Sequence, residues 1–332
     1  MSEVKQDIRK VSTINSMALA TYMMFGTGGS AILSRINERG ILQEIFGNRL
    51  LVSGISQYLV AFPFSMFIIK IIADEKNSPK LKDVLRKPQA SGKEIARWIV
   101  ISLFLVYAMS YISNILFGIL QSATGIELHA VDFTAPNTAI GRISNILIIM
   151  FLAPIFEEIL FRGMLVKNFE KYGTWSSIIA MGITFGLFHM NYEQTLYTSV
   201  LGVCAGFLIV KTKSIYSSLL LHFCLNTIGA IQSLFIGNID MEKVSSGDGE
   251  YIQENISNLM PILLNGMLIF VIMIVGLIFF ILELKNHKDT FQLESKYPEL
   301  SEKKKLGIYF STPLTGIATA LFISTTIFNA LM

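Results

Sequence analysis

Two adjacent glutamates at the end of a long apolar run are the first residues in this chain that could do chemistry. The run from Ile143 to Phe156 carries no formally charged residue, and Glu157, Glu158 and then Arg162 follow it. If this segment crosses a bilayer, both acids lie within or close to the hydrocarbon. An ionisable side chain at that depth is energetically costly and marks a candidate functional site.

The spacing of these residues predicts different roles for the two acids. Glu158 and Arg162 are four positions apart, so on a helix their side chains can meet as an ion pair. Glu157 is turned from Glu158 by roughly 100° and has no such partner. A carboxylate left without a partner can act as a general base. The alternative, a structural ion pair with a spare acid near the inner interface, stays open at this point.

Two of the four histidines also lie in apolar runs. His189 ends the segment Phe185-Gly-Leu-Phe-His189, and His222 begins the segment His222-Phe-Cys-Leu-Asn226, which places His222 and Asn226 on one helix face. A lone histidine in a membrane helix is often only an interhelical hydrogen-bonding residue. Two histidines, an amide donor and a free carboxylate together supply the groups that a water-activating site needs.

The expected depths of these residues in the membrane do not agree. At ~1.5 Å per residue, Glu157 lies ~15 Å from Lys167 on the inner side, and His222 lies ~14 Å from the preceding inner loop. Both depths are near the middle of a ~30 Å hydrocarbon core. His189, counted from Gly173, lies ~24 Å deep. It can share a site with the other two only if its helix is tilted or begins late.

The composition predicts the elements that must hold these residues. Of 332 residues, 52% are hydrophobic and 15% charged, against about 25% charged in an average soluble domain. We expect an all-α bundle with eight or nine transmembrane helices, because spanning takes about 20 apolar residues. We expect the first to be a retained helix and not a cleaved signal peptide. Nine uncharged runs are candidates: Val11–Ser34, Leu51–Ile69, Trp98–Ile126, Ile143–Phe156 with its continuation to Val166, Thr174–Tyr192, Gln194–Val210, Ser214–Ile239, Asn255–Leu282 and Leu306–Met332.

The positive charges predict the orientation of the bundle. With nine spans and the N-terminus inside, 20 of the 27 Lys and Arg residues fall in inner segments and 5 in outer ones. Such residues concentrate on the cytoplasmic side. The exception is the first outer loop, with Arg35, Arg39 and Arg49. We expect a multi-pass protein of the plasma (cell) membrane with a cytoplasmic N-terminus, in contact with membrane lipid and without a nucleic-acid partner.

Three motifs in this order, Glu-Glu-x-x-x-Arg, Phe-x-x-x-His and His-x-x-x-Asn, resemble one known family. This is the CAAX-protease and bacteriocin-processing (CPBP, or Abi) family of intramembrane proteases. The resemblance covers about Ile143 to Gly229. It divides the chain into N-terminal transmembrane helices without an assigned role (1–142), a helical catalytic core (143–238), and an outer loop with C-terminal transmembrane helices (239–332).

The resemblance implies an endopeptidase that cleaves a membrane-associated peptide or protein. In the family pattern, Glu157 activates water with the help of His189, and His222 and Asn226 stabilise the tetrahedral oxyanion. The ion-paired glutamate and arginine support the site.

The resemblance leaves the cofactor as either none or zinc. In a metalloprotease version, Glu157, His189 and His222 bind the metal, which is a plausible ligand set for catalytic zinc. The chain has no His-Glu-x-x-His motif. We favour metal-free catalysis, because Asn226 is a natural oxyanion donor and a poor zinc ligand.

Two other classes of function are compatible with the same residues. The first is a non-catalytic membrane immunity or scaffold protein that keeps the motif residues as relics. The second is a proton-coupled transporter that uses the glutamates and histidines as a proton relay. A transporter of this kind would be expected to show paired repeats with broken helices, and the sequence shows none.

Two local features predict how the helices are shaped and packed. Pro154, three residues before Glu157, is predicted to kink its helix and free a backbone carbonyl near the site. Gly202 and Gly206 form a small-xxx-small motif that predicts close packing against a neighbouring helix.

Overall fold

The structure is a computed structural model that describes residues 2–37, 49–72, 79–129, 138–237, 239–294 and 296–332. Within these ranges the chain is helical and contains no strand. Arg39, in the first predicted outer loop, lies outside the described residues. The ten main helices are α1 Ser2–Asn37, α2 Leu50–Ile72, α3 Gly92–Thr124, α4 Ala139–Glu170, α5 Thr174–Phe188, α6 Tyr192–Thr212, α7 Ile215–Ile236, α8 Ile256–Asn286, α9 Glu302–Phe310 and α10 Pro313–Leu331. Short helices cover Leu81–Asp83, Met241–Ser246, Gly249–Glu254 and Lys288–Phe291.

Seven helices in the described part of the chain are long and apolar enough to cross a membrane. They are α2, α3, α4, α6, α7, α8 and α10. The predicted all-α membrane bundle is therefore confirmed, with a count close to the eight or nine expected. The two predicted runs that are not among the seven belong to α1 and α5.

Helix α5 has 15 residues and is about 22 Å long, shorter than the ~30 Å hydrocarbon core. The predicted run continued to Tyr192, but the helix ends at Phe188. Met190 adopts a left-handed conformation, with φ of 51°, and Asn191 caps the next helix. The turn between α5 and α6 therefore lies inside the apolar run that was predicted to be one span.

Helix α1 packs into the bundle through a polar face as well as an apolar one. Its buried residues include Asn15, whose Nδ2 donates to the Leu165 carbonyl at 3.3 Å and whose Oδ1 accepts from Asn168 at 2.9 Å. The Ser12 hydroxyl donates to the Tyr309 carbonyl at 2.7 Å. These bonds join α1 to α4 and α9, so α1 is an integral part of the described fold.

Helices α5 and α6 approach each other closely at glycines. A Cβ atom added at Gly202 would lie 2.6 Å from the Gly182 Cα atom, and one added at Gly206 would lie 3.3 Å from Ile178. The predicted small-residue packing of this motif is confirmed. Helix α6 is the most enclosed of the seven spanning helices, because 61% of its most apolar segment is buried inside the bundle.

The helix ends fall at two ends of the bundle, because consecutive helices run antiparallel. At the first, which we call the lysine-rich end, α2, α4, α6 and α8 finish and α3, α5, α7 and α10 begin. Backbone bonds such as Gln89 to Thr212, at 2.8 Å, join segments there. At the second, which we call the far end, α3 and α7 finish and α2, α4 and α8 begin. The His129 N–H donates to the Ala330 carbonyl at 2.8 Å at this end.

Candidate active site

Four of the six predicted site residues line a single cavity of about 800 Å³. They are Glu157 on α4, His189 after α5, and His222 and Asn226 on α7. The cavity also receives residues from α2, α3 and α6. The three motifs, which are spread over 70 positions, are thus brought to one place.

The other two predicted residues lie behind His222 and not in the cavity lining. Arg162 Nη1 is 3.0 Å from Glu158 Oε1, and His222 Nδ1 is 3.0 Å from the same oxygen. All three residues are buried, and the Arg162 guanidinium lies 4.2 Å from the centroid of the Phe185 ring. The predicted ion pair four residues apart is confirmed. Because Glu158 is held between arginine and histidine, it can fix the orientation of the imidazole.

The two adjacent glutamates therefore face different surroundings. Glu157 Oε2 is 3.9 Å from His222 Nε2, and the Glu157 side chain is 14% exposed, to the cavity. The Glu158 side chain is only 1% exposed. His222 stands between them, with Nδ1 toward Glu158 and Nε2 toward Glu157. The family resemblance pairs Glu157 with His189, and the structure adds this contact with His222.

His189 is oriented by a bond to its own helix. Its Nδ1 lies 2.7 Å from the Phe185 carbonyl. A carbonyl only accepts, so Nδ1 carries the hydrogen and a neutral ring has its lone pair at Nε2. The following turn is held by Asn191, whose Nδ2 donates to the His189 carbonyl at 3.2 Å, and by Asn329, which donates to the Met190 carbonyl at 2.8 Å.

The fold removes the depth conflict between His189 and Glu157. Helix α4 does not stop at Lys167 but continues to Glu170, and the turn into α5 is centred on Gly173. Glu157 lies 16 residues before Gly173, and His189 lies 16 residues after it. In an antiparallel hairpin these positions are at similar heights. The two predicted depths disagreed because they were counted from different starting points.

Pro154 frees the carbonyl that holds Asn226. Residues Ile146–Leu152 form a π-helical turn, in which each N–H bonds the carbonyl five residues earlier, as Ala153 does with Ile148. The next donor would be Pro154, which has no N–H, so the Ile149 carbonyl is left for another partner. Asn226 Nδ2 donates to it at 2.8 Å. The predicted free carbonyl near the site is confirmed.

The sequence arguments missed the contributions of the first two helices. Tyr58 on α2 stacks on Phe156, with ring centroids 5.2 Å apart, and lines the cavity beside Glu157. Tyr22 on α1 lies near the same carboxylate, with its hydroxyl 3.5 Å from Gln57 Oε1. The sequence carried only a weak signal for this contribution: Gln57 and Tyr58 are polar residues within the apolar run that forms α2.

A second cavity, of about 580 Å³, meets the first at the site. Ser53, Gln57, Glu157 and His189 line both cavities, and the second extends along α1. Glu157 and His189 therefore lie between two open volumes. A residue in this position is accessible to water from two sides.

The predicted zinc ligands do not form a metal site in this structure. Zinc requires its ligands at about 2.0–2.2 Å from one point. Among the residues that the structure describes, no group of three or more His, Cys, Asp or Glu side chains is arranged to hold a metal. We therefore derive no step through a metal.

Comparisons with known proteins agree with the motifs. Residues 139–228 match a family model described as "Type II CAAX prenyl endopeptidase Rce1-like". Over 90 residues the chain is 28% identical to YdiL of Bacillus subtilis (strain 168), which is described as a candidate membrane peptidase. The aligned segment is 27% of this chain and 37% of YdiL, so the chain spans little more than a third of that relative. No solved structure matches the chain significantly.

The matched segment is also the segment that builds the site. It begins at the first residue of α4 and ends two residues after Asn226. Both glutamates, the arginine, both histidines and the asparagine lie within it. The matched segment and its motifs support the resemblance to the CAAX-protease and bacteriocin-processing family.

Proposed function

We propose that this protein is a membrane-embedded endopeptidase that hydrolyses a peptide bond in a membrane-associated peptide or protein. One observation carries the proposal: Glu157, His189, His222 and Asn226 meet at one cavity, within the segment that matches the family model. The cavity supplies room for a substrate backbone, and its opening to water supplies the second reactant.

Glu157 is the proposed general base. Its carboxylate takes a proton from a water molecule as the water oxygen attacks the substrate carbonyl carbon. His189 holds this water, because its Nδ1–H is committed to Phe185 and its Nε2 remains an acceptor. The proton then passes from Glu157 to the amide nitrogen as the C–N bond breaks, leaving a carboxylic acid and an amine.

Asn226 and His222 are the proposed donors to the oxyanion of the tetrahedral intermediate. The Asn226 amide has two hydrogens, and its bond to the Ile149 carbonyl uses one of them. In this mechanism His222 carries a hydrogen on each ring nitrogen, so that Nδ1 donates to Glu158 and Nε2 donates into the cavity. Donors held in place before the reaction need no reorganisation during it.

Glu158 and Arg162 are positioning residues in this proposal. They do not line the cavity, so they act on the reaction through His222. The pair neutralises itself, which allows Glu158 to hold the imidazole without adding a net charge.

The test compares Glu157→Gln with the wild type by peptidomics of isolated membranes. Glutamine keeps the size and polarity of the side chain but cannot take a proton from water. We expect turnover to fall by about 10²- to 10⁴-fold, the usual contribution of a general base. The control is Glu254→Gln, on the exposed short helix Gly249–Glu254 outside the cavity, which we expect to leave processing unchanged.

Two results would contradict the proposal or its metal-free form. If the Glu157→Gln protein accumulates normally and peptide processing continues, the peptidase proposal is wrong and the immunity or scaffold hypothesis gains. If purified protein contains stoichiometric zinc and chelation abolishes turnover, which zinc restores, then the metal-free mechanism is wrong. We expect turnover to survive chelation.

A further inference from the structure

The turn that follows His189 has an unfavourable backbone conformation at one residue. Met190 has a φ of 51°, in the left-handed region that residues with a Cβ atom rarely adopt. A residue keeps such a conformation only where the surrounding structure holds it, and these positions are common next to functional groups. The turn therefore needs partners that hold Met190 in place.

One of these partners is on the last helix of the chain. The Asn329 Nδ2 group on α10 donates to the Met190 carbonyl at 2.8 Å, across 139 positions in the sequence. Helix α10 lies outside the segment that matches the family model. The bond from Asn191 to the His189 carbonyl is local by comparison, since these residues are two positions apart. Asn329 thus ties the left-handed residue to a distant helix, which the local bond cannot do.

The same face of α10 also packs against the residue before His189. Phe322 is 2% exposed, and its ring centroid is 5.9 Å from that of Phe188 in an edge-to-face arrangement. Phe322 and Asn329 are seven positions apart, so they lie on one face of α10, two turns from each other. Phe188 and Met190 are the neighbours of His189 in the chain. Helix α10 therefore contacts the residue on each side of His189.

The position of the His189 ring follows from the position of this backbone. Its Nδ1 atom bonds the Phe185 carbonyl at 2.7 Å, and its backbone N–H bonds the Gly186 carbonyl at 3.2 Å. These bonds fix the ring only while His189 continues the last turn of α5. If Met190 relaxed to a more common conformation, the chain into α6 would change direction and the ring would be displaced relative to Glu157. A displacement of about 1 Å at a catalytic group can lower turnover by about 100-fold.

We propose that Asn329 is a positioning residue for His189, and that α10 is part of the framework that holds the active site. Asn329 acts through the left-handed turn at Met190, and Phe322 supports the other side of His189 through Phe188. The consequence for turnover rests on the proposed function, in which His189 holds the attacking water. The role of Asn329 in maintaining the turn rests on these contacts alone.

The test combines the loss of the Asn329 amide with a residue that adopts the left-handed conformation freely. Asn329→Leu keeps a side chain of similar size but has no donor. Asn329→Ala replaces it if the leucine variant accumulates poorly. Met190→Gly places a glycine where positive φ carries no steric penalty. The matched control is Ser324→Leu on α10, at an exposed position where the hydroxyl donates to the Leu321 carbonyl of its own helix at 3.0 Å.

Two measurements are made on the full-length protein. Hydrogen–deuterium exchange in detergent reports on the peptide that spans the turn, and peptidomics of isolated membranes reports turnover per folded molecule. We expect Asn329→Leu to speed exchange in the turn and to lower turnover by about 10- to 100-fold, because His189 loses its position. In the Met190→Gly background the same change should have little effect on either measurement, since a glycine adopts the turn without needing the bond. Ser324→Leu should match the wild type in both.

Unchanged exchange in the turn of Asn329→Leu would overturn the proposal. A loss of the same size in the Met190→Gly background would overturn it too, because Asn329 would then act on the fold by another route. Normal turnover in Asn329→Leu, in a protein whose processing depends on Glu157, would show that His189 does not need this support. If neither Glu157→Gln nor Asn329→Leu affects processing but exchange behaves as expected, the peptidase proposal fails and the role of Asn329 in holding the turn stands.

Discussion

The two halves of this bundle differ in what fills them, although the same helices run through both. Toward the lysine-rich end, α4 buries Phe161, Leu165 and Phe169 completely. Toward the far end, α4 and its neighbours line a cavity of about 800 Å³. Glu157 is the last residue of α4 in the cavity lining, and Glu158 is the next residue, in the packed half.

The difference shows how one dipeptide can serve two purposes. A buried charge is tolerated only when it is paired and hydrogen-bonded, and the packed half supplies Arg162 and His222 to Glu158. A general base, the role that we propose for Glu157, needs contact with water, and Glu157 lines the cavity of the open half. Adjacent residues on a helix point about 100° apart, so no rearrangement is needed to place one in each half.

Removing the buried carboxylate should have the largest effect on stability. Glu158→Gln leaves Arg162 as an unpaired charge in the packed half, which typically costs about 3–5 kcal/mol. Glu157→Gln alters a group at the cavity surface and should change stability far less. The measurement is denaturant or thermal unfolding in detergent. Equal losses of stability in the two variants would contradict the proposed difference between the packed half and the open half.

A double variant tests whether the loss of stability comes from the unpaired charge on Arg162. Glu158→Gln with Arg162→Met removes both charges, and replacing a buried pair by neutral groups is often nearly neutral for stability. We expect it to recover much of the stability that Glu158→Gln loses. Activity should stay low, because His222 loses the anionic acceptor that Arg162 holds in place.

Asn226→Asp should lower turnover strongly. Aspartate has no N–H donor, so it loses both the bond to the Ile149 carbonyl and the proposed donor to the oxyanion. Loss of one such donor costs about 10²- to 10³-fold in kcat. The matched control is Asn265→Asp, which loses a similar bond, to the Ile228 carbonyl at 3.0 Å; Asn265 itself does not line the cavity.

The readout that separates these asparagines is activity per folded molecule. Asn265→Asp should lower the yield of folded protein but not its specific activity. An equal loss of specific activity in both variants would argue against a donor role for Asn226.

Gly186→Ala should be destabilising by a smaller amount. A Cβ atom at this position would overlap the Thr195 carbonyl oxygen and the Ser199 hydroxyl on α6. Overpacking of this kind typically costs about 1–3 kcal/mol. His189 lies three residues later, so activity should fall too. Gly118→Ala on α3 is the control, since its Cβ would have no neighbour within 4 Å and its stability should not fall.

The smallest expected effect is a pH dependence at the lysine-rich end. Burial raises the pKa of Glu302, but hydrogen bonds from Lys305 and Ser176 outweigh it, and the net shift is downward. A carboxyl group with a lowered pKa in the folded state stabilises the protein above its unfolded-state pKa. This contribution is lost as pH falls through the folded-state value.

The corresponding experiment measures thermal stability in detergent from neutral to acidic pH. Glu302→Gln should be slightly less stable than wild type at neutral pH, and the gap should close in acid. A gap that stays constant with pH would show that the carboxylate contributes nothing through ionisation. Glu254→Gln, at an exposed position, serves as the reference.

Local sequence patterns predicted the chemistry of the site. The four-residue spacing of Glu158 and Arg162 is a property of one helix, and so is the missing N–H of Pro154. The three motifs predicted four of the residues that line the cavity: Glu157, His189, His222 and Asn226. Their catalytic roles remain predictions.

Contacts between residues that are distant in the chain could not be predicted from local sequence patterns. The depth of His189 was predicted wrongly relative to Glu157, because only the fold shows that α4 continues to Glu170 and turns at Gly173. Likewise, Tyr22 and Tyr58 lie about 100 or more positions from Glu157 in the chain. A contact over that distance leaves no periodic signal for a sequence argument to use.

The sequence by itself determined an all-helical membrane bundle, its resemblance to a protease family and the set of polar residues at its centre. Apolar length, helical periodicity and motif spacing are sufficient for these conclusions. Only the tertiary structure decided which glutamate faces the cavity, where His189 lies and which helices line the cavity. These depend on how helices distant in the chain pack together, and packing is a property of the whole bundle.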